Sequence, residues 1–270
     1  ALEHWDYSTA FSGVDAPGTS MAVHSVNLSV HLGLGLGDTV GHPRHTLAVE
    51  NFKPSQNVLK GHPTCRPQCL HSDQNGYWRP QVKDALMKLK ERGVPLNKGT
   101  LLPLIKQGKA AVKLEQFCLI HNRVCPVPKV RCHIAGIECK DWSPRGSKTG
   151  ENGNTFETFA CWACVGLAME HKSIIVECSH RYKVWILEEV FGPTMAIMFV
   201  QNFCPTTIGN CGRRPRFWAH LMSRLEIIAV WSCLNNVIPL FHRQWVGRIT
   251  DLLVATDGEL DEELAGPSFV

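Results

Sequence analysis

The sequence predicts an α/β fold with a mostly parallel sheet and helices on both faces. Three observations lead there. Short β-like runs alternate with helical patterns along the 270 residues. Apolar content of 44% with 19% charged residues is that of an ordinary globular chain, long enough for one large α/β domain. The longest apolar stretches, such as TMAIMFV (194–200), are far too short to span a bilayer, so no membrane partner is expected.

The elements follow in order. YSTAFSG (7–13) reads as a strand ending in a glycine turn, and PGTSMAVHSVNL (17–28) as a helix with Pro17 near its start. HTLAVEN (45–51) is a second strand, and a short run near 70–73 ends at Asp73. PQVKDALMKLKERG (80–93) has helical spacing, with Gly93 as a C-terminal stop. KVRCHIAGI (129–137) is the next strand, and a helix fills about 155–171. SIIVEC (173–178) and TMAIMFVQNF (194–203) are buried strands. Beyond 222 the pattern weakens, and the acidic DGELDEEL (257–264) reads as a frayed tail.

Charge and cysteines narrow the function classes. The formal charge is only +4, but GRRPRFW (212–218) places arginines beside aromatics, as a phosphate-facing edge does. Twelve cysteines are too dilute for a small disulfide scaffold. The opening residues ALEHWDYSTA show no basic end followed by an apolar core, so reduced thiols are expected. The missing initiator Met suggests a fragment, a processed form or an excised domain. CRPQC (65–69), near His62 and His71, and CWAC (161–164) carry metal-like spacings, but neither has a second pair at finger spacing; no metal site is expected. GLGLGD (33–38) lacks the spacing and the preceding strand of a dinucleotide fingerprint and reads as a surface loop.

In an open α/β sheet, ligands bind at the carboxyl ends of the strands. There the sequence collects FSGVDAPG (11–18), Glu50, Asp73, Cys139 and Glu177 in succession. A glycine turn admits a ligand close to the backbone. A carboxylate after the second strand suits two ribose hydroxyls. Asp73 can accept from an exocyclic amine, which completes an adenosyl pocket. Cys139 would then be a nucleophile, and Glu177 an acid or hydrogen-bonding partner for an electrophilic ring.

In this order the motifs resemble those of the DNA cytosine-5 methyltransferases. AGIECKDWSPRG resembles the family's Gly-x-Pro-Cys-Gln-x-x-Ser loop, FSGVDAPG its first motif, HTLAVEN its second and HSD (71–73) its third. SIIVEC matches the Glu-Asn-Val strand at the glutamate, and IGNCGRRPRFW (208–218) resembles the segment with two alternating arginines, at Arg214 and Arg216. The resemblance covers about residues 5–220 and implies a Rossmann-like S-adenosylmethionine-dependent methyltransferase fold. It implies a catalytic set of Cys139, Glu177, Arg214 and Arg216, and a cofactor set of Phe11, Ser12, Gly13, Glu50, Asn51 and Asp73 for S-adenosylmethionine. The substrate implied is cytosine in DNA, with RNA as the alternative, and the base is flipped out for reaction.

The sequence departs from the family at several points. Glu138 stands for the proline before the cysteine, Lys140 for the glutamine after it, and Cys178 for the asparagine after the glutamate. Residues 1–222 are expected to form the catalytic domain and 223–270 a short C-terminal segment, a remnant of a target-recognition region. The competing classes are a catalytically degenerate cofactor- or nucleic-acid-binding relative and a zinc-stabilised binding module. Nuclear placement is expected in a eukaryote and cytoplasmic placement otherwise.

Overall fold

The computed structural model describes residues 6–11, 44–62, 66–144, 146–203 and 215–222. The helix expected over 17–28, the GLGLGD loop, Ser12, Gly13, Arg214 and the segment 223–270 lie outside these residues.

Nine strands among the described residues form one sheet. They are β1 (Asp6–Ala10), β2 (Arg44–Val49), β3 (Cys69–His71), β4 (Glu115–Cys118), β5 (Arg123–Pro126), β6 (Cys132–Gly136), β7 (Ser173–Ser179), β8 (Ala196–Phe203) and β9 (Arg216–Met222). The spatial order is β5-β4-β3-β2-β1-β6-β7-β9-β8. The central five, β3-β2-β1-β6-β7, are all parallel and follow the 3-2-1-4-5 order of a doubly wound dinucleotide fold. The flanks are antiparallel: the β4–β5 hairpin pairs with β3, and β9 lies between β7 and β8, antiparallel to both. The sheet is therefore mixed, which corrects the expectation of a mostly parallel one. The short hairpin strands and β9 carry too little periodicity to be read from sequence.

The helices are α1 (Lys53–Gly61), α2 (Pro80–Glu91), α3 (Lys98–Ile105), α4 (Phe156–Met169) and α5 (Val184–Phe191). Pro54 opens α1 and Pro80 opens α2, positions where the missing N–H costs nothing. Asn97 caps α3 by accepting from Thr100 N at 3.2 Å. α4 is apolar on nearly all sides because it is buried on nearly all sides, Cys161 and Cys164 included.

Alternation along the strands assigns the two faces. Leu47, Val49, Ala135, Ile174, Val176 and Cys178 join the larger core with Phe159 and Trp162 of α4 and Leu101 and Ile105 of α3. Ala48 and Leu70 point the other way, against Leu59 of α1. Helices thus cover both faces, as expected. No helix among the described residues is long and apolar enough to cross a membrane.

Candidate functional site

Between β1 and β6 the chain order reverses across the sheet, a switch point of the kind at which open α/β sheets bind ligands outside the carboxyl ends of their strands. β1 ends at Ala10, and Phe11 follows in the left-handed region (φ 55°), its N–H donating to Val49 O at 2.9 Å. A non-glycine residue held there stores strain, and such strain gathers at ligand sites. The end of β6 lies beside it. A Cβ on Gly136 would stand 3.1 Å from Phe11 O and 3.7 Å from Glu177 Oε2. Gly136 is thus the low wall between the first strand's turn and the Glu177 carboxylate. Gly136→Ala is expected to lower stability by about 1–2 kcal/mol, the range for overpacking against backbone. A urea midpoint equal to the parent's would show that the strand end has room for a methyl group.

Glu177 sits on β7, facing away from the larger core that buries its neighbours Val176 and Cys178. Arg216, the first residue of β9, donates its Nε–H to Glu177 Oε1 at 2.5 Å. The pair is a diagonal cross-strand contact, since Glu177 lies directly opposite Trp218 and Ser179 opposite Arg216. Both side chains are largely covered, 28% exposed for Glu177 and 18% for Arg216, so the contact outweighs an exposed ion pair.

Cys139 follows β6 by three residues and is half-buried at the edge of the larger core. Its carbonyl accepts from Trp142 N at 2.9 Å and Ser143 N at 2.7 Å, which folds the loop into a turn directly behind the thiol. The loop is organised by Asp141, whose carboxylate accepts from Thr149 Oγ1 at 3.0 Å, Thr155 N at 2.8 Å, Thr155 Oγ1 at 2.7 Å and the Ser147 hydroxyl. Burial works against its charge, but these hydrogen bonds outweigh it and hold its pKa below the ordinary carboxylate value. Ser179 Oγ adds a bond to Trp142 O at 3.4 Å, from the end of β7. Cys178, where the resembled motif has asparagine, is buried in the core on the opposite side of β7 from Glu177 and does not face the loop. The loop is braced by Asp141 and Ser179 instead. Neither was singled out by sequence, although Asp141 lies two residues from the cysteine.

The predicted adenosyl residues occupy the adjacent strand ends. Glu50 follows β2 and is buried; its Oε1 accepts from Phe52 N at 2.9 Å, and its own N–H donates to His71 O at 3.1 Å. Asn51 and Phe52 are exposed beside it. Asp73 is exposed after β3, and Gln116 of β4 holds its backbone, accepting from its N–H at 3.4 Å and donating to its O at 2.8 Å. Partial burial, then Asp141, then Asp73 and Glu50, raise the pKa of Glu138, with Lys140 pulling the other way. Phe11, Gly136, Glu177 and Arg216 meet at these strand ends, Cys139 follows β6 by three residues, and Glu50, Asn51 and Asp73 follow β2 and β3.

An open groove of about 700 Å³ continues from the cysteine loop. It runs between Asp141–Asn152 and the residues after β7, with Lys148, Arg181 and Lys183 on its walls. Acidic Glu50 and Asp73 thus follow β2 and β3, while the groove mixes Asp141 and Glu151 with Lys148, Arg181 and Lys183.

The two metal-like spacings resolve differently from a metal centre. In CWAC, Cys161 Sγ donates to Gln74 O at 3.1 Å and Cys164 Sγ to Leu104 O at 3.8 Å, so the thiols face different partners. Cys69 turns instead to the β4–β5 hairpin, where the described residues hold a group of metal-ligating side chains at Cys69, Cys118, His121 and Cys125. That group runs against the expectation of no metal site. Its signal was the Cys-x-x-His-x-x-x-Cys spacing in FCLIHNRVC (117–125).

No family model matches the chain, and no curated protein does. Among solved structures it is similar to a prophage-encoded DNA modification methyltransferase (E. coli), at 11% identity and TM-score 0.42, covering 82% of this chain and 47% of that one. It is also similar to the S. pombe Dnmt2 methyltransferase, at 8% identity and TM-score 0.45, covering 82% of this chain and 50% of that one. A third is the Entamoeba histolytica methyltransferase EhMeth, at 9% identity and TM-score 0.44, covering 82% and 53%. The chain spans about half the length of these proteins. The fold is a mixed α/β sheet of Rossmann-like order, defined by its own strand pairing.

Proposed function

We propose that the chain transfers a methyl group from S-adenosylmethionine to carbon 5 of cytosine in a nucleic acid, through a covalent adduct at Cys139. The observation that carries this reading is the convergence at Gly136: Phe11 on one side, the Glu177–Arg216 pair on the other, and Cys139 three residues on. The donor set fits the cofactor. Gly136 puts no side chain between the Phe11 carbonyl and the Glu177 carboxylate at the switch point, and Glu50, after the second strand, supplies a carboxylate suited to ribose hydroxyls. Asp73 can accept from an exocyclic amine, and the exposed ring of Phe52 offers a face to a flat base. When bound, S-adenosylmethionine supplies the electrophilic methyl group.

The chain's own residues do the rest. The Cys139 thiolate adds to carbon 6 of a flipped-out cytosine, and the ring electrons move toward nitrogen 3, where Glu177 donates or shares a proton. Arg216 fixes the Glu177 carboxyl against that nitrogen. Carbon 5, now nucleophilic, takes the methyl group. Transfer of the carbon 5 proton to solvent water then expels the Cys139 thiolate and restores the ring. Lys148, Arg181 and Lys183, on the walls of the groove, would be the cations that meet backbone phosphates. DNA is the expected polymer, with RNA the alternative for the same chemistry.

The test is covalent trapping. DNA carrying 5-fluorocytosine, incubated with the protein and S-adenosylmethionine, should give a denaturation-resistant adduct that Cys139→Ala does not form, because fluorine blocks the final elimination. The same incubation with 5-fluorocytosine RNA identifies the polymer. If neither polymer gives an adduct while calorimetry shows cofactor binding, the chain is a cofactor-binding relative without the transfer step.

A further inference from the structure

We propose that Cys69, Cys118, His121 and Cys125 bind one zinc ion in a closed tetrahedral site that staples the β4–β5 hairpin to β3. The four ligand atoms lie within 4.8 Å of one another. The sulfurs of Cys69, Cys118 and Cys125 stand 3.6, 3.5 and 3.4 Å from the single Nδ1 of His121. A zinc–sulfur bond of about 2.3 Å and a zinc–nitrogen bond of about 2.0–2.1 Å, at the tetrahedral angle, put sulfur and nitrogen about 3.6 Å apart. The observed spacings are thus edges of such a tetrahedron. Hydrogen bonding alone does not account for them, because one ring nitrogen serves at most one of three thiols.

The backbone around the cluster is built for a negatively charged sulfur. Leu70 N–H points at Cys118 Sγ at 3.4 Å, and the backbone N–H groups of Ile120 and His121 face the same atom. The tight turn that returns the chain toward Cys125 has Asn122 in the left-handed region (φ 52°), its N–H donating to Cys118 O at 2.9 Å. Four protein ligands leave no open position, so the site is structural and not catalytic. Its role follows from Gln116. This residue lies opposite Cys125 in the hairpin and holds the backbone of Asp73, so the metal would fix the loop that carries Asp73.

The full chain, purified from zinc-supplemented cells without chelator, should carry about one zinc per molecule by elemental analysis. His121→Ala and Cys125→Ser should each lower that content at least tenfold, beyond the lower bound for losing a supporting partner alone. Cys139→Ser, outside the cluster, should keep it. Because a ligand variant can fail to fold, the parent protein reconstituted with cobalt(II) provides an independent readout. Tetrahedral d–d bands with thiolate charge transfer are expected. Zinc below about a tenth of an equivalent without cobalt uptake, retention of zinc in both variants, or a native disulfide among Cys69, Cys118 and Cys125 would each overturn the proposal.

Discussion

Acidification from pH 7.5 to 5.0 is expected to remove about 2 kcal/mol of folding stability through His71 alone, with buried His133 and His171 acting in the same direction. His71, His133 and His171 are all buried. Burial pushes His71 down to about 4 from its ordinary value of 6.5. Burial, and then the neighbouring His171, pushes His133 well below that value. Burial also lowers His171, with Lys129 adding to it and a bond to Val130 O opposing it. Hydrogen bonding makes the reason concrete at His133. The Trp162 indole can only donate, and it donates to His133 Nε2 at 2.9 Å. The ring proton must then lie on Nδ1, which faces Ser8 Oγ at 2.7 Å. A second proton on Nε2 would meet the indole N–H head on.

The sign follows from which state binds protons. As pH falls below about 6.5 the unfolded chain takes up protons that the folded chain refuses, so stability is full above that pH and declines below it. For His71 the decline levels off near pH 4, where the folded state protonates too. Against a typical domain stability of about 5–15 kcal/mol, the His71 contribution alone is a sizeable fraction. Urea titrations between pH 8 and 5 should show a slope rising above about one proton taken up on unfolding as pH falls. A slope below one proton would mean that these histidines ionise in the folded state.

Asp141→Ala is expected to cost about 3 kcal/mol and to loosen the cysteine loop more than the rest of the sheet. The carboxylate is 3% exposed and collects hydrogen bonds from three residues. The exposed Ser147 and Thr149 hydroxyls can turn to water when the acceptor is removed. The Thr155 N–H cannot do so as readily, and it stands at the start of α4. Packing adds to the cost. Gly153 lies directly under the carboxylate, where a Cβ would fall 2.0 Å from Asp141 Cγ, so the loop is moulded to this one side chain. Asp141→Asn, which keeps the shape and one acceptor oxygen, should lose less. The measurements are urea midpoints and hydrogen exchange over 139–155. An alanine variant within about 0.5 kcal/mol of the parent would show that the loop does not depend on this hub.

Sequence reasoning reached the parts of the fold where burial writes a pattern. SIIVEC, HTLAVEN and the helix over 155–171 are apolar enough to be placed within a few residues of β7, β2 and α4. It also gathered Glu50, Asp73, Cys139 and Glu177, because each stands at or near the end of a strand that could be read. It failed where stability comes from few residues. The β4–β5 hairpin has four residues per strand and an exposed Phe117–Val124 pair, so its alternation is short and its polarity misleading. The metal-ligating cluster combines a local Cys-x-x-His-x-x-x-Cys pattern with Cys69, 49 positions before Cys118, and only strand pairing brings the two together. Asp141 and Ser179 act through hydrogen bonds that depend on the loop's shape, which no spacing rule encodes.

The position of β9 has a consequence for the order in which the molecule can be completed. β9 is made after β8 yet lies inside it, against β7. On a ribosome, β7 therefore emerges as an open edge with its hydrogen-bonding groups exposed, and it stays so until some forty residues later Arg216 arrives. Emergence of residue 216, rather than cofactor or substrate, sets the earliest moment at which Glu177 acquires its arginine. A nascent chain stalled before residue 216 would present a sheet edge available for pairing with other chains.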